Sequence, residues 1–206
     1  MSTEYINDLL QDLKEHESSD TIYNMYKNEK SIPYYNLNIY LNLLASFKVK
    51  SMFIDLSPGY KNCAVTGIPL TNEFILFNQQ SGCPLFNYKY GYKKNFNRNV
   101  RPDFNTTMFW TDVNMIDKAP LLWYCYPFHP HLKNDLLSNM SPSQGELLTG
   151  MIYLIKILEI FKPERIFALG NTVSEHLDEL KIKHIKLMHP FTLSLMICCR
   201  KWYSSN

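Results

Sequence analysis

Four short apolar runs, each stopped by a turn or by polar residues, constrain the fold of this chain more than any other feature. They are Lys50 to Leu56, ended by Ser57-Pro58-Gly59; Pro120 to Tyr126, ended by Pro127; Arg165 to Gly170; and His184 to Met188, followed by His189-Pro190. Runs of this length, closed by turn formers, are the pattern of strands buried on both faces. Helical stretches separate them. Ser143 and Glu146 have capping-box spacing and open a helix whose apolar positions Leu147, Leu148, Met151, Leu154, Ile155 and Leu158 continue to Phe161. Asn171-Thr172 starts a shorter helix through Leu180. Strands alternating with helices predict an α/β protein, a single-domain three-layer α/β/α sandwich around a central, mostly parallel four-stranded sheet.

Residues 1–49 read as N-terminal helices, with Tyr5, Leu9, Leu10 and Leu13 on one face and Leu37, Tyr40, Leu41 and Leu44 on another. At 206 residues and 46% apolar content, one domain spanning 1–206 with its own core is expected. No apolar run reaches the length of a membrane span, and the acids Glu4, Asp8, Asp12 and Glu15 are foreign to a signal peptide. A cytoplasmic, monomeric protein away from membranes is expected. Five cysteines form an odd set without a C-x-x-C pair, so they read as reduced thiols, and no metal or other cofactor is expected.

The net charge is only +2, but the charge is unevenly spread: Phe74 to Pro102 contains no acid. Within that stretch, Tyr88 to Arg101 interleaves five basic residues, Lys93 and Lys94 among them, with four aromatics. Such a mixture neutralises phosphates and stacks on bases, and it equally suits a solvated loop. We read 75–118 as a basic and aromatic insertion.

In an open parallel sheet, ligands bind at the carboxyl ends of the strands, where loops and helix N-termini converge. The most distinctive segments of this chain fall there: Asp55 to Tyr60, Tyr124 to His131, Gly170-Asn171-Thr172 and His189 to Thr192.

These same segments carry a resemblance. The stretch NLNIYLNLLASFKVKSMFIDLSPGYKNCAVTGIPLTNE, from Asn36 to Glu73, resembles bacterial members of the uracil-DNA glycosylase superfamily, which pair an N-L-x-x-Y-L helix with G-E-A-P-G-Y-x-G-C and T-G-I-P-F-T-S-E. Trp123 to Pro130 is similar to W-N-A-F-P-F-H-P. Phe161 to Gly170 is similar to F-x-P-x-x-I-x-A-L-G, and His189 to Ser194 to H-P-S-P-L-S. The motifs stand in the family's order and spacing. Relatives that hold an iron–sulfur cluster have two cysteines near the N-terminus; this chain has none before Cys63.

The resemblance implies hydrolysis of the N-glycosidic bond of a base flipped out of DNA, with DNA, duplex or single-stranded, as partner. Such a reaction needs an acid or a positioned water near C1′ and a donor to the departing base. His189 is the natural donor, although a histidine before proline also caps strands. Asp55, at the end of an apolar strand, is the first candidate acid and Glu73 the second; the family's acid in the first loop falls on Leu56. Ser57, Tyr60, Tyr124, Phe128 and His129, with Leu56 and Leu70, are candidates for base binding, and Tyr126 and Phe128 equally suit the core. The family's uracil-reading asparagine falls on Tyr124 and its stacking phenylalanine on Leu70, which argues against strict uracil selection. Pro58, Gly59, Thr192, Leu193 and Ser194, with Lys93 and Lys94, are candidates for DNA contact, Leu193 as the side chain that fills the gap left by the flipped nucleotide. Three readings follow: a glycosylase for a non-standard or modified pyrimidine, for instance in foreign phage DNA; a repair enzyme for uracil or another deaminated base; and a DNA-binding member without catalysis.

Overall fold

A computed structural model describes residues 2–78, 82–95 and 104–188. In chain order the elements are α1 (Ser2–Glu15), β1 (Ile22–Tyr23), α2 (Ile32–Leu44), β2 (Ser51–Asp55), α3 (Cys63–Thr66), α4 (Glu73–Asn78), α5 (Phe104–Ile116), β3 (Leu121–Tyr124), β4 (His129–Pro130), α6 (Gln144–Phe161), β5 (Arg165–Leu169), α7 (Asn171–Glu179) and β6 (Ile185–Leu187). The four expected strands are β2, β3, β5 and β6. They form one sheet in the order β3-β2-β5-β6, every pairing parallel. A two-stranded antiparallel pair, β1 with β4, lies outside it and was not legible in the sequence.

The register fixes which side chains share a face. Phe53 is paired with Leu122 and with Phe167, so all three point to one side, and Phe109 of α5 packs edge-on against Phe53. The strand order makes the chain move one way from β2 to β3 and the other way from β3 to β5 and on to β6. Right-handed crossovers therefore put α3 to α5 on one face and α6 with α7 on the other, which gives the three layers.

Local chemistry accounts for the helices. Ser31 caps α2 by accepting from the Tyr34 N–H at 3.3 Å, with Pro33 in the first turn. Leu37, Tyr40, Leu41 and Leu44 are buried as expected, and the Tyr40 hydroxyl ties α2 to β3, donating to the Pro120 carbonyl at 2.9 Å and accepting from Leu122 N–H at 3.0 Å. The capping box of α6 is present, and the helix ends on Lys162 in the left-handed region, one residue before Pro163.

Two helical faces differ from expectation. In α1 the buried stripe is Ile6, Leu9, Leu10 and Leu13, and Tyr5 is 58% exposed, because the stripe is centred one residue later than an i, i+4 reading from Tyr5. In α6 the buried residues are Leu147, Gly150, Tyr153, Leu154 and Ile157, and Leu148, 61% exposed, lies with Ile155 on the outside. A helix rich in apolar residues all round does not reveal its inner face; Gly150 does. A Cβ there would lie 2.0 Å from the Cys125 carbonyl oxygen, so α6 approaches the end of β3 at that residue.

The segment 75–118, expected as an insertion, also supplies core. Phe109, Trp110 and Val113 of α5 are buried, and Trp110 packs edge-on against Phe86.

Candidate functional site

The crevice of the sheet opens at the end of β2, where the following chain leaves on one face while those after β3 and β5 leave on the other. Asp55 is the last residue of β2. It is 7% exposed, and its Oδ1 accepts from the Leu56 N–H at 2.8 Å. The backbone on either side is clamped to β3 beyond the strand ends, with Cys125 N–H donating to the Asp55 carbonyl at 2.8 Å and Tyr126 N–H to that of Leu56 at 3.0 Å. A carboxylate buried at the mouth of an apolar sheet needs such support.

Tyr124 is the cross-strand partner of Asp55 and shares its face. Its hydroxyl accepts from the Leu70 N–H at 3.0 Å, with the Cys63 thiol among its electrostatic neighbours. Tyr26 lies 3.2 Å from the same sulfur and donates to the Gly67 carbonyl at 3.0 Å. With the Tyr26 O–H given to Gly67, the Cys63 S–H is left for the Tyr26 oxygen or for the Met25 sulfur, 3.8 Å away. Burial pushes both tyrosine hydroxyls well up and the Cys63 thiol up to about 12, so all three stay protonated at neutral pH. For Tyr124, the charges of Cys63 and Asp55 act in the same direction.

This chain of bonds holds the T-G-I-P-L-T-N-E segment in place. Leu70 has φ 51°, a left-handed conformation unusual for leucine, and its carbonyl accepts from Trp110 Nε1–H at 3.0 Å. Gly67 is required twice over: it has φ 81°, and a Cβ would lie 1.9 Å from the Pro33 carbonyl oxygen. Thr66 Oγ1 donates to the Thr71 carbonyl at 2.7 Å. Glu73 then begins α4; it is 7% exposed, and its Oε1 accepts from Asn95 N–H at 2.5 Å.

The other candidates separate into groups. Leu56, Ser57, Gly59 and Tyr60 are partly exposed in the loop after Asp55, with Pro58 buried among them. His129 is buried, and its ring nitrogens face two carbonyl oxygens, Pro58 at 2.8 Å and Leu136 at 3.2 Å, so it braces this loop. Phe128 stacks on His16 with ring centroids 3.9 Å apart and meets Tyr126 and Tyr153 edge-on, in an aromatic cluster against the end of α1. Thus Asp55, Tyr124 and Leu70 are brought together, and the contacts of Phe128 and His129 tie them into neighbouring structure. His189, Thr192, Leu193 and Ser194 lie outside the described residues.

Lys93 and Lys94 are exposed. Asn36, buried in α2, holds the Lys93 backbone at both ends, donating to its carbonyl at 2.9 Å and accepting from its N–H at 2.8 Å, and the Lys93 ammonium lies 3.8 Å from the centroid of the Tyr35 ring. Sequence reasoning placed Asn36 in a motif but did not read this role, and it missed Tyr26, Cys63 and Trp110 as the supports of Leu70. Cysteine and tyrosine in an apolar stretch give no signal of whom they will bond.

The fold and its crevice define a class: a three-layer α/β protein with a buried carboxylate at the mouth of a parallel sheet. Within that class, the chain is similar to a solved structure, wild-type SMUG2 from Pedobacter heparinus, with a TM-score of 0.63 and 14% identity over 98% of this chain and 96% of that one. The two share the fold that the sequence motifs led us to expect. No protein-family model and no curated protein matches the sequence.

Proposed function

We propose that this protein is a monofunctional DNA glycosylase that hydrolyses the N-glycosidic bond of a flipped, non-standard or modified pyrimidine, with foreign DNA such as that of a phage as one setting. The observation that carries this reading is the placement of Asp55: a buried carboxylate at the ligand-binding end of a sheet whose fold is shared with SMUG2. In the proposed reaction Asp55 stabilises positive charge on the sugar and orients a water. The water oxygen bonds to C1′ as the C1′–N bond breaks, the water proton passes to the Asp55 carboxylate, and the base leaves as an anion stabilised by the His189 side chain. Glu73 is the second candidate acid.

Base choice departs from uracil on the same grounds. An asparagine in the position of Tyr124 could form paired hydrogen bonds to a base edge. The Tyr124 hydroxyl is instead committed to the Leu70 N–H, and the side chain is buried. Leu56 in the acid's place favours one other reading, a DNA-binding protein without catalysis.

Abasic-site formation on oligonucleotides carrying uracil, hydroxymethylcytosine and glucosylated cytosine separates these readings. Cleavage of a modified cytosine with little action on uracil is expected. Preferred cleavage of uracil would make this a repair enzyme, and no cleavage of any base, with wild type and His189→Ala binding DNA alike, would leave only the binding protein.

A further inference from the structure

The loop after β4, residues 131–140, carries an apolar surface that the proposed chemistry does not use. Leu136 and Leu137 are 53% and 61% exposed, with Leu132 and Met140 exposed beside them. The loop is nevertheless tightly braced. Asp135 N–H donates to the Leu132 carbonyl at 2.9 Å, Leu132 N–H to Ser138 Oγ at 2.7 Å, Ser138 Oγ–H to the Asp135 carbonyl at 2.7 Å, and Leu137 N–H to Asp135 Oδ1 at 3.1 Å. The loop's backbone and polar side chains bond one another while four large apolar side chains, Leu132, Leu136, Leu137 and Met140, stand in solvent. The rigid tip is also fastened to the candidate site: His129 bridges the Leu136 and Pro58 carbonyls, and Asn139 Oδ1 accepts from Tyr60 N–H at 3.2 Å.

We infer that Leu136 and Leu137 form an apolar wedge that enters duplex DNA beside the nucleotide drawn toward Asp55. This rests on the glycosylase reading. The tip follows β4 and is bonded through His129 and Asn139 to Pro58 and Tyr60 of the loop that leaves Asp55, which sets the leucines beside that loop. The bases on either side of a flipped nucleotide present the unstacked apolar faces that leucines cover. The charge around the tip is near balance: Asp135, the one acid of 131–140, accepts from Leu137 N–H, Lys133 pairs with Asp20, and Lys61 is exposed on the adjoining loop.

The test is the affinity of the Leu136→Ser/Leu137→Ser double variant for a duplex holding a tetrahydrofuran abasic analogue next to 2-aminopurine, and for the same strand alone. Leu148→Ser, on the outer face of α6, serves as the exposed-leucine control. The double variant should lose about tenfold in duplex affinity, the cost of exposing one leucine-sized surface, and less on the single strand, together with its effect on 2-aminopurine fluorescence. Leu148→Ser should keep both. Equal losses on both DNAs, or duplex affinity within about twofold of wild type, would overturn the wedge. So would sedimentation showing a wild-type dimer that the double variant abolishes, which would assign the patch to a second copy. Wild-type excision with an unaffected double variant would remove the wedge alone; a wild type that binds neither DNA would remove the glycosylase reading with it.

Discussion

Replacing Tyr124 with phenylalanine deletes one oxygen and tests whether that oxygen holds the T-G-I-P-L-T-N-E segment. The Leu70 N–H would lose its partner at 3.0 Å while remaining buried. An orphaned buried amide costs about 1–3 kcal/mol. Against this, Leu70 is held at φ 51°, a conformation that itself costs about 1–2 kcal/mol, so partial relaxation should bring the net loss to about 1–2 kcal/mol. In a chain of this size each kcal/mol shifts Tm by about 2–4 °C, giving a fall of about 2–8 °C, readable by circular dichroism alongside urea titration. Tyr126→Phe is the matched control. Its hydroxyl lies 3.4 Å from His16 Nε2, a long hydrogen bond, and its removal should cost under about 0.5 kcal/mol. Equal Tm values for Tyr124→Phe and wild type, or equal losses for the two variants, would refute the claim that the Tyr124 hydroxyl supports Leu70.

Gly67→Ala should be far more damaging, by about 3 kcal/mol or more, since its Cβ would strike the Pro33 carbonyl from a left-handed backbone; denaturant unfolding measures it, and a near-neutral change would contradict the close approach of α2. Stability should fall as pH drops from about 7.5 to about 5.5. His176, buried with neither ring nitrogen hydrogen-bonded, and His16, stacked on Phe128, both have pKa values lowered by burial from the ordinary 6.5, with Glu179 opposing at His176 and Glu17 opposing at His16. A depressed histidine gives its full contribution above its unfolded value and loses it as pH falls through its folded value, so Tm should be flatter with pH in His176→Gln. Lys93→Ala with Lys94→Ala should lower the slope of log affinity for DNA against log salt by about one for each phosphate no longer neutralised; an unchanged slope would remove this surface from the DNA interface.

The sheet was legible because β2 and β3 are buried on both faces and all four apolar runs stop at turn or polar residues. Lys50 to Leu56 became Ser51–Asp55, and the other three runs were recovered with similar trimming at their ends. The helix caps were legible for a related reason: Ser143 and Glu146 bond each other locally, and the sequence contains the whole interaction. The inner face of α6 was not, since Leu148 and Ile155 are as apolar as Leu147 and Leu154, and only the approach of Gly150 to Cys125 decides between them. At the site, Asp55 stood out as an acid ending an apolar strand. What Tyr124 does was hidden, because its hydroxyl's partner, Leu70, is remote in sequence and is brought to it by the crossover between β2 and β3.

If water directed by this crevice severs a base from an intact DNA strand, the products themselves will show it. They are read by mass spectrometry after wild-type protein has acted on duplex and single-stranded oligonucleotides carrying a panel of modified pyrimidines. A released free base and a full-length strand bearing one abasic site are expected, with Asp55→Asn slowed by a factor on the order of 10² or more. Release of no base from any substrate, or a strand cut at the modified nucleotide, would contradict hydrolysis by a monofunctional glycosylase.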